Sequence, residues 1–256
     1  MRLGCICGCF NRSFDAGRMD QFRFLEECAR TFRVEGAELQ DIHFPQTRPA
    51  YRERLRKAAG DLGLTLIGIG VHNDFGRADT TWRQGEIARV RHWIEVATDI
   101  GAGHVRVFAG HPEGPVAERW PAMIDALREV SAYAAENRVT LALENEAGFT
   151  PSAAEHLRIV DEVGSPALRP LLDTGNYRDG WPSVERTAPR ADHVHAKFWQ
   201  VDPTGAEPTM DYPGLLAGLR RRDYRGWISF EYEAAEDEAT GIPRAFAYLR
   251  RLVVAA

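Results

Sequence analysis

Apolar residues along this chain fall into two alternating rhythms. Short β-prone runs such as LGCIC, LTLIGIG, VTLALE, LRPLLD and WISFE alternate with longer stretches whose apolar positions recur every three or four residues. A continuous apolar run is the pattern of a strand buried on both faces, and the longer spacing is that of a helix with one buried side. In order, strands are predicted over 3–9, 37–44, 64–72, 104–110, 139–146, 168–173, 192–198 and 227–231. Helices are predicted over 20–32, 51–62, 86–100, 115–137, from Ser152 onward, and over 181–187, 212–222 and 242–254. Gly101 and Gly103 punctuate one helix, and Thr150-Pro151-Ser152 opens another with suitable capping chemistry. A strand followed by a helix, eight times over, requires parallel strands joined by crossovers. It is the count of a closed (β/α)8 TIM barrel of the α/β class, and 256 residues suit one such domain over 1–256. A doubly wound open sheet fits less well, because GCICGCFNR after the first strand is not G-x-G-x-x-G.

Composition narrows the partners. With 44% hydrophobic and 27% charged residues the chain is an ordinary globular one. No apolar run approaches the roughly 20 residues that span a bilayer. MRLGCICGCFNR turns polar too early for a secretory signal, so a cytoplasmic location is expected. A net charge of −5 with dispersed Lys and Arg argues against nucleic acid. Cys5, Cys7 and Cys9 alternate and would share one face of the first strand, and with Cys28 they read as reduced, buried small residues.

The candidate chemistry lies where the late strands stop. Glu144, Asp173, His195 and Glu231 fall at the ends of strands five to eight, the level at which barrels carry their functional residues. Neighbouring strands lie about 4.8 Å apart, so four consecutive ends can converge on one ion. Three carboxylates and an imidazole make an oxygen-rich set suited to Mn²⁺ or Mg²⁺ with positions open to substrate.

The segments ALENEAG, LLDTGNY, HVHAKFW and GWISFEYE, with AELQDIHFP and the VHNDFG turn, resemble the metal-binding strand ends of the xylose isomerase-like TIM barrels, the sugar phosphate isomerase/epimerase superfamily. The resemblance runs over essentially the whole chain. It implies that Glu144, Asp173, His195 and Glu231 bind a divalent metal, Mn²⁺ first, with Mg²⁺, Co²⁺ or Zn²⁺ as alternatives. It also implies that Glu144 and Glu231 exchange a proton with a ketose, one from each face of an enediolate. Homo-oligomers are common in the family. Many relatives have His where this chain has Asn176 and Glu146. Asn binds a hydroxyl but is no acid near neutrality, which points away from the usual ketohexose.

Further substrate contacts are expected from Lys197 on the strand face of His195, from His72 and His43 at the ends of strands three and two, and from Arg106, Asn176 and Glu146. Arg106 needs a partner, for which Glu146 or a substrate would serve. Trp199 and Phe75 could form a stacking wall, loops 73–81 and 200–211 could act as lids, and the acidic run 236–238 reads as a solvated loop. The leading expectation is a metal-dependent isomerase or epimerase of a keto-sugar or sugar phosphate. The alternative is a lyase or dehydratase on a keto-sugar, inosose or 3-keto-glycoside. An endonuclease IV-like enzyme, which would need more His and Asp ligands and a basic face, and a barrel reduced to binding are weaker alternatives.

Overall fold

The computed structural model describes residues 1–254; positions 255 and 256 of the expected domain lie outside the described residues. Among the described residues, strands β1 (Arg2–Ile6), β2 (Gly36–Gln40), β3 (Thr65–Gly70), β4 (His104–Val107), β5 (Thr140–Glu144), β6 (Leu168–Asp173), β7 (His193–Phe198) and β8 (Trp227–Tyr232) close in sequence order into a parallel barrel. Helices alternate with them, the longest at Thr80–Ile100, Val116–Glu136 and Glu238–Val254. No described helix is long and apolar enough to cross a membrane. The chain divides into two compact regions, 1–67 with 193–256, and 68–192.

In the first region β1 pairs with β2 and β8, with Cys5 opposite Ala37 and Phe230, and β8 pairs with β7, with Lys197 opposite Glu231. Aromatic rings fill its interior, Phe230 packing edge-on against Phe246 and tilted against Phe198. In the second region β4 pairs with β3 and β5, and β5 with β6, with Glu144 opposite Leu171. Here the apolar sides of the long helices, among them Ile94, Ala97, Leu127 and Val130, are buried as their spacing requires.

Five strands stop short of their expected ends; β3 ends at Gly70, β4 at Val107 and β5 at Glu144, and the departures of β1 and β2 change the local structure most. β1 stops at Ile6, and Cys7–Phe10 form a tight 3-10 turn, so the three alternating cysteines do not share a strand face. The turn is held by Cys9, whose Sγ donates to the Phe230 carbonyl and accepts from the Tyr232 amide. All four cysteines are buried and outside any disulfide, as expected of small core residues. β2 likewise ends at Gln40, and Asp41–His43 turn away in a second short helix.

The acidic run is not a solvated loop throughout. Glu238 is buried and accepts from the Arg12 amide and the Ser13 hydroxyl, and Glu236 pairs with Arg244. The two expected lid loops are knitted by their own carboxylates. Asp79 caps the helix at Thr80, Asp74 accepts from the amides of Gly76 and His111, and Glu86 holds the Asp74 amide. In 200–211, Asp202 accepts from Thr204 and Ala206, and Glu207 from Gln200 and Thr209.

Candidate metal centre

In the region 68–192, β5 ends on Glu144 and β6 on Asp173, both buried. The apolar body of each strand fixes their height, and the next residue fixes their spacing. The Asn145 side chain donates to the Asp173 carbonyl at 2.9 Å and accepts from the Asp173 amide at 2.8 Å. One amide side chain thus clamps two strand ends together where ladder pairing stops. Asp173 also folds its chain back, its Oδ1 accepting from the Gly175 amide at 2.6 Å.

Arg106 on β4 meets Glu144, Nε to Oε2 at 3.2 Å, an ion pair by distance rather than an aligned hydrogen bond. Its guanidinium stacks over Phe108 at 4.1 Å. The space it occupies exists because β3 carries Gly70: a Cβ there would sit 2.5 Å from Nη2. The partner is therefore Glu144 and not Glu146, because alternation along β4 turns Arg106 toward the end of β5. Glu146 lies beyond the strand, half-exposed, 3.6 Å from His111.

Behind β5, His156 is fully buried, one ring nitrogen 2.9 Å from the Leu143 carbonyl and the other 2.7 Å from the Tyr177 hydroxyl. Burial pulls its pKa down to about 4, so the ring is neutral at pH 7 and serves as a hydrogen-bond post.

In the region 1–67 with 193–256, β7 brings His195 and Lys197 and β8 brings Glu231. His195 has a carboxylate at each nitrogen: Nδ1 lies 3.3 Å from Glu231 Oε2, and Nε2 lies 3.1 Å from Glu38 Oε1. Glu38, on β2, also accepts from Ser229 Oγ at 2.9 Å and lies 3.2 Å from His193 Nε2. Lys197 Nζ is 3.1 Å from Glu231 Oε1 and 2.9 Å from Glu233 Oε1, and it lies over the Trp199 ring. Its carbonyl is held by the Tyr212 hydroxyl.

Residues 25–252 match the family model described as xylose isomerase-like TIM barrel. The chain belongs to that family. A protein named inosose dehydratase from Geobacillus kaustophilus is 26% identical, over 82% of this chain and 80% of its own length. A C-glycoside deglycosidase alpha subunit from Microbacterium trichothecenolyticum is 28% identical over 69% of this chain, which spans 56% of that relative. D-psicose 3-epimerase from Clostridium cellulolyticum H10 superposes with a TM-score of 0.82 at 16% identity, covering 99% of each chain, a likeness of fold.

The other predicted contacts of this xylose isomerase-like chain each have their own surroundings. His43 is half-buried, stacked on Phe14 at 3.9 Å and 3.2 Å from Cys7 Sγ. His72 is half-buried beyond β3, edge-on to Phe108. Asn176 is half-buried in the turn after β6. Phe75 is buried in the core and cannot form a stacking wall, while Trp199 is 41% exposed. His193 is a buried core histidine, its Nε2 3.0 Å from Ser229 Oγ and 3.2 Å from Glu38 Oε2. Glu38, Asn145 and His156 are absent from the sequence-based site. Asn145 has a signal, a polar residue between two acids at a strand end; Glu38 has only its alternation with Leu39 in AELQ; His156 has none.

Proposed function

We propose that Glu144, Asp173, His195 and Glu231 hold one divalent cation, and that the whole chain, 1–256, works as one catalytic domain taking a proton from the carbon beside a carbonyl of a sugar or cyclitol ketone. In strand order the four stand on β5, β6, β7 and β8, each is buried, and carboxylate and imidazole are donors of the kind that hold a metal. The observation that carries the proposal is charge. At the strand ends of 68–192, among the described residues, two buried carboxylates, Glu144 and Asp173, accompany one buried cation, Arg106. In the other region Glu38, Asp41 and Glu231 accompany Lys197. In each region the buried carboxylates at the strand ends outnumber the buried Lys and Arg, and burying charge is costly unless it is compensated. A divalent ion would offset such an excess, and the oxygen-rich donors suit Mn²⁺ or Mg²⁺ better than a structural Zn²⁺.

A divalent ion bound there supplies Lewis acidity, polarising the carbonyl so that the neighbouring C–H becomes acidic. The rest is done by side chains. Glu231 and Glu144 are the carboxylates placed to take the proton, and burial keeps water from competing. Arg106 holds Glu144 in position, and Lys197 stands beside Glu231 as a proton donor.

Two fates follow proton removal. Return of the proton from the second carboxylate gives an isomerase or epimerase. Departure of a group from the adjacent carbon gives a lyase. Elimination has the better support, because the alignable relatives carry the names dehydratase and deglycosidase, and Lys197 is an acid beside Glu231. In that fate the C–H proton passes to Glu231, the C–H electron pair forms the new double bond, and the leaving oxygen departs with its bonding pair and takes a proton from Lys197.

The test is a panel of inososes, 3-keto-glycosides and ketoses with Mn²⁺ in D₂O. Elimination appears as loss of water or aglycone. Epimerisation appears as deuterium gained without loss of mass from the leaving group. A protein that incorporates no deuterium into any member, and for which Glu231→Gln changes nothing, refutes the proposal.

A further inference from the structure

Resting on the assignment of His195 as a ligand, we infer that Glu38 is the positioning residue that selects the tautomer of His195. By accepting from Nε2–H, Glu38 leaves the Nδ1 lone pair facing Glu231 and the ion. A neutral imidazole carries one N–H, and His195 has an acceptor at both ends, so its tautomer is not set by its own chemistry. Its surroundings break the tie. Glu38 meets Nε2 with both oxygens, at 3.1 and 3.2 Å, whereas Glu231 Oε2 lies 3.3 Å from Nδ1, an ion-pair distance without hydrogen-bond alignment.

The two carboxylates also differ in what holds them. Glu38 is 0% exposed, sits on β2 paired opposite Ile6, and accepts from Ser229 at 2.9 Å. His193 Nε2 lies 3.0 Å from Ser229 Oγ and 3.2 Å from Glu38 Oε2, so the carboxylate is set among donors before any ion arrives. Glu231 stands near the end of its strand and gives its other oxygen to Lys197. A carboxylate behind a ligating imidazole fixes ring orientation and raises ligand basicity, and removing such a partner typically costs about 10–100-fold in metal affinity. A carboxylate serving only as core packing would leave the His195 proton where it is when replaced.

The test uses the full chain. Long-range ¹H–¹⁵N spectra of the metal-free protein report which nitrogen of His195 is protonated, and calorimetric titration with Mn²⁺ alone reports affinity. The expected wild-type spectrum has the proton on Nε2. Glu38→Ala should move it wholly or partly to Nδ1 and weaken Mn²⁺ binding about 10–100-fold. Glu38→Gln keeps an acceptor oxygen and should keep the tautomer, with a loss below about 10-fold.

A wild-type proton on Nδ1 overturns the inference, as does Glu38→Ala with unchanged tautomer and affinity. If Glu38→Ala does not fold, the wild-type and Glu38→Gln spectra decide. If wild type binds no Mn²⁺, or His195→Ala binds it equally well, the metal assignment falls, and the tautomer comparison still decides the role of Glu38.

Discussion

Each region of the chain sets a strand-end glutamate beside a buried cation, and the two pairs are built from different chemistry. In 68–192 the cation is Arg106, over the Phe108 ring in the space left by Gly70 and beside Glu144. In 1–67 with 193–256 it is Lys197, shared between buried Glu231 and exposed Glu233 with Trp199 alongside. A guanidinium is a rigid fork that keeps its charge, whereas an ammonium on a flexible stem can hand over a proton. The pairs therefore suit different work: Arg106 holds Glu144 as a fixed negative charge, and Lys197 gives Glu231 a mobile acid as neighbour. The braces differ as well. Asp173 is clamped by the neutral amide of Asn145 through backbone groups, whereas His195 is held by the Glu38 carboxylate through its ring.

The largest expected effect separates the two glutamates. Glu231→Gln should lower deuterium exchange at the substrate carbon by about 10³-fold or more, and Glu144→Gln by about 10²-fold, within the usual span of general acid–base catalysis. Equal losses would erase the distinction between the pairs. Next is Arg106→Ala, which strands Glu144 in the interior. It should cost about 3–5 kcal/mol in denaturant unfolding of the metal-free protein, the range for breaking a buried pair. Arg106→Lys should recover only part of this, because one ammonium cannot reproduce the fork. Lys197→Met should spare exchange but slow product release from a leaving-group substrate by about 10²-fold. Parallel loss of both would assign Lys197 to holding Glu231 rather than to acid catalysis.

His156 supplies a pH test confined to 68–192. Its pKa falls from the ordinary 6.5 to about 4 on folding. The unfolded chain therefore takes up a proton below about pH 6.5 that the folded chain refuses until about pH 4. Stability drops as pH falls through that window, by up to about 3 kcal/mol. His156→Phe should flatten this slope in melts between pH 7 and 4. The smallest effect is expected at the exposed His111–Glu146 contact, where His111→Ala should change stability by no more than about 0.5 kcal/mol.

Strand and helix order is legible in the amino-acid pattern because a parallel barrel buries its strands on both sides and each helix on one. β6 and the helix Trp181–Thr187 fall where their apolar spacing and flanking polar residues put them. Glu144, Asp173 and Glu231 stand out for the same reason, an abrupt polar residue where an apolar run stops, whereas His195 lies in mid-strand on β7 and is marked only by its alternation with His193 and Lys197. The first strand misleads, because alternation of Cys5, Cys7 and Cys9 mimics a strand where Cys9 in fact turns the chain by bonding the backbone of β8.

What the sequence determines alone is thus periodic: the element types, their order, the fold class and the heights of the candidate ligands. Partnership was decided only in three dimensions. Nothing local says that Arg106 meets Glu144 rather than Glu146, or that Glu38, 157 residues from His195 in sequence, lies behind its ring. Periodicity reports which face a side chain occupies, whereas ion pairs and tautomers depend on ångström distances between strands that only the closed sheet brings together.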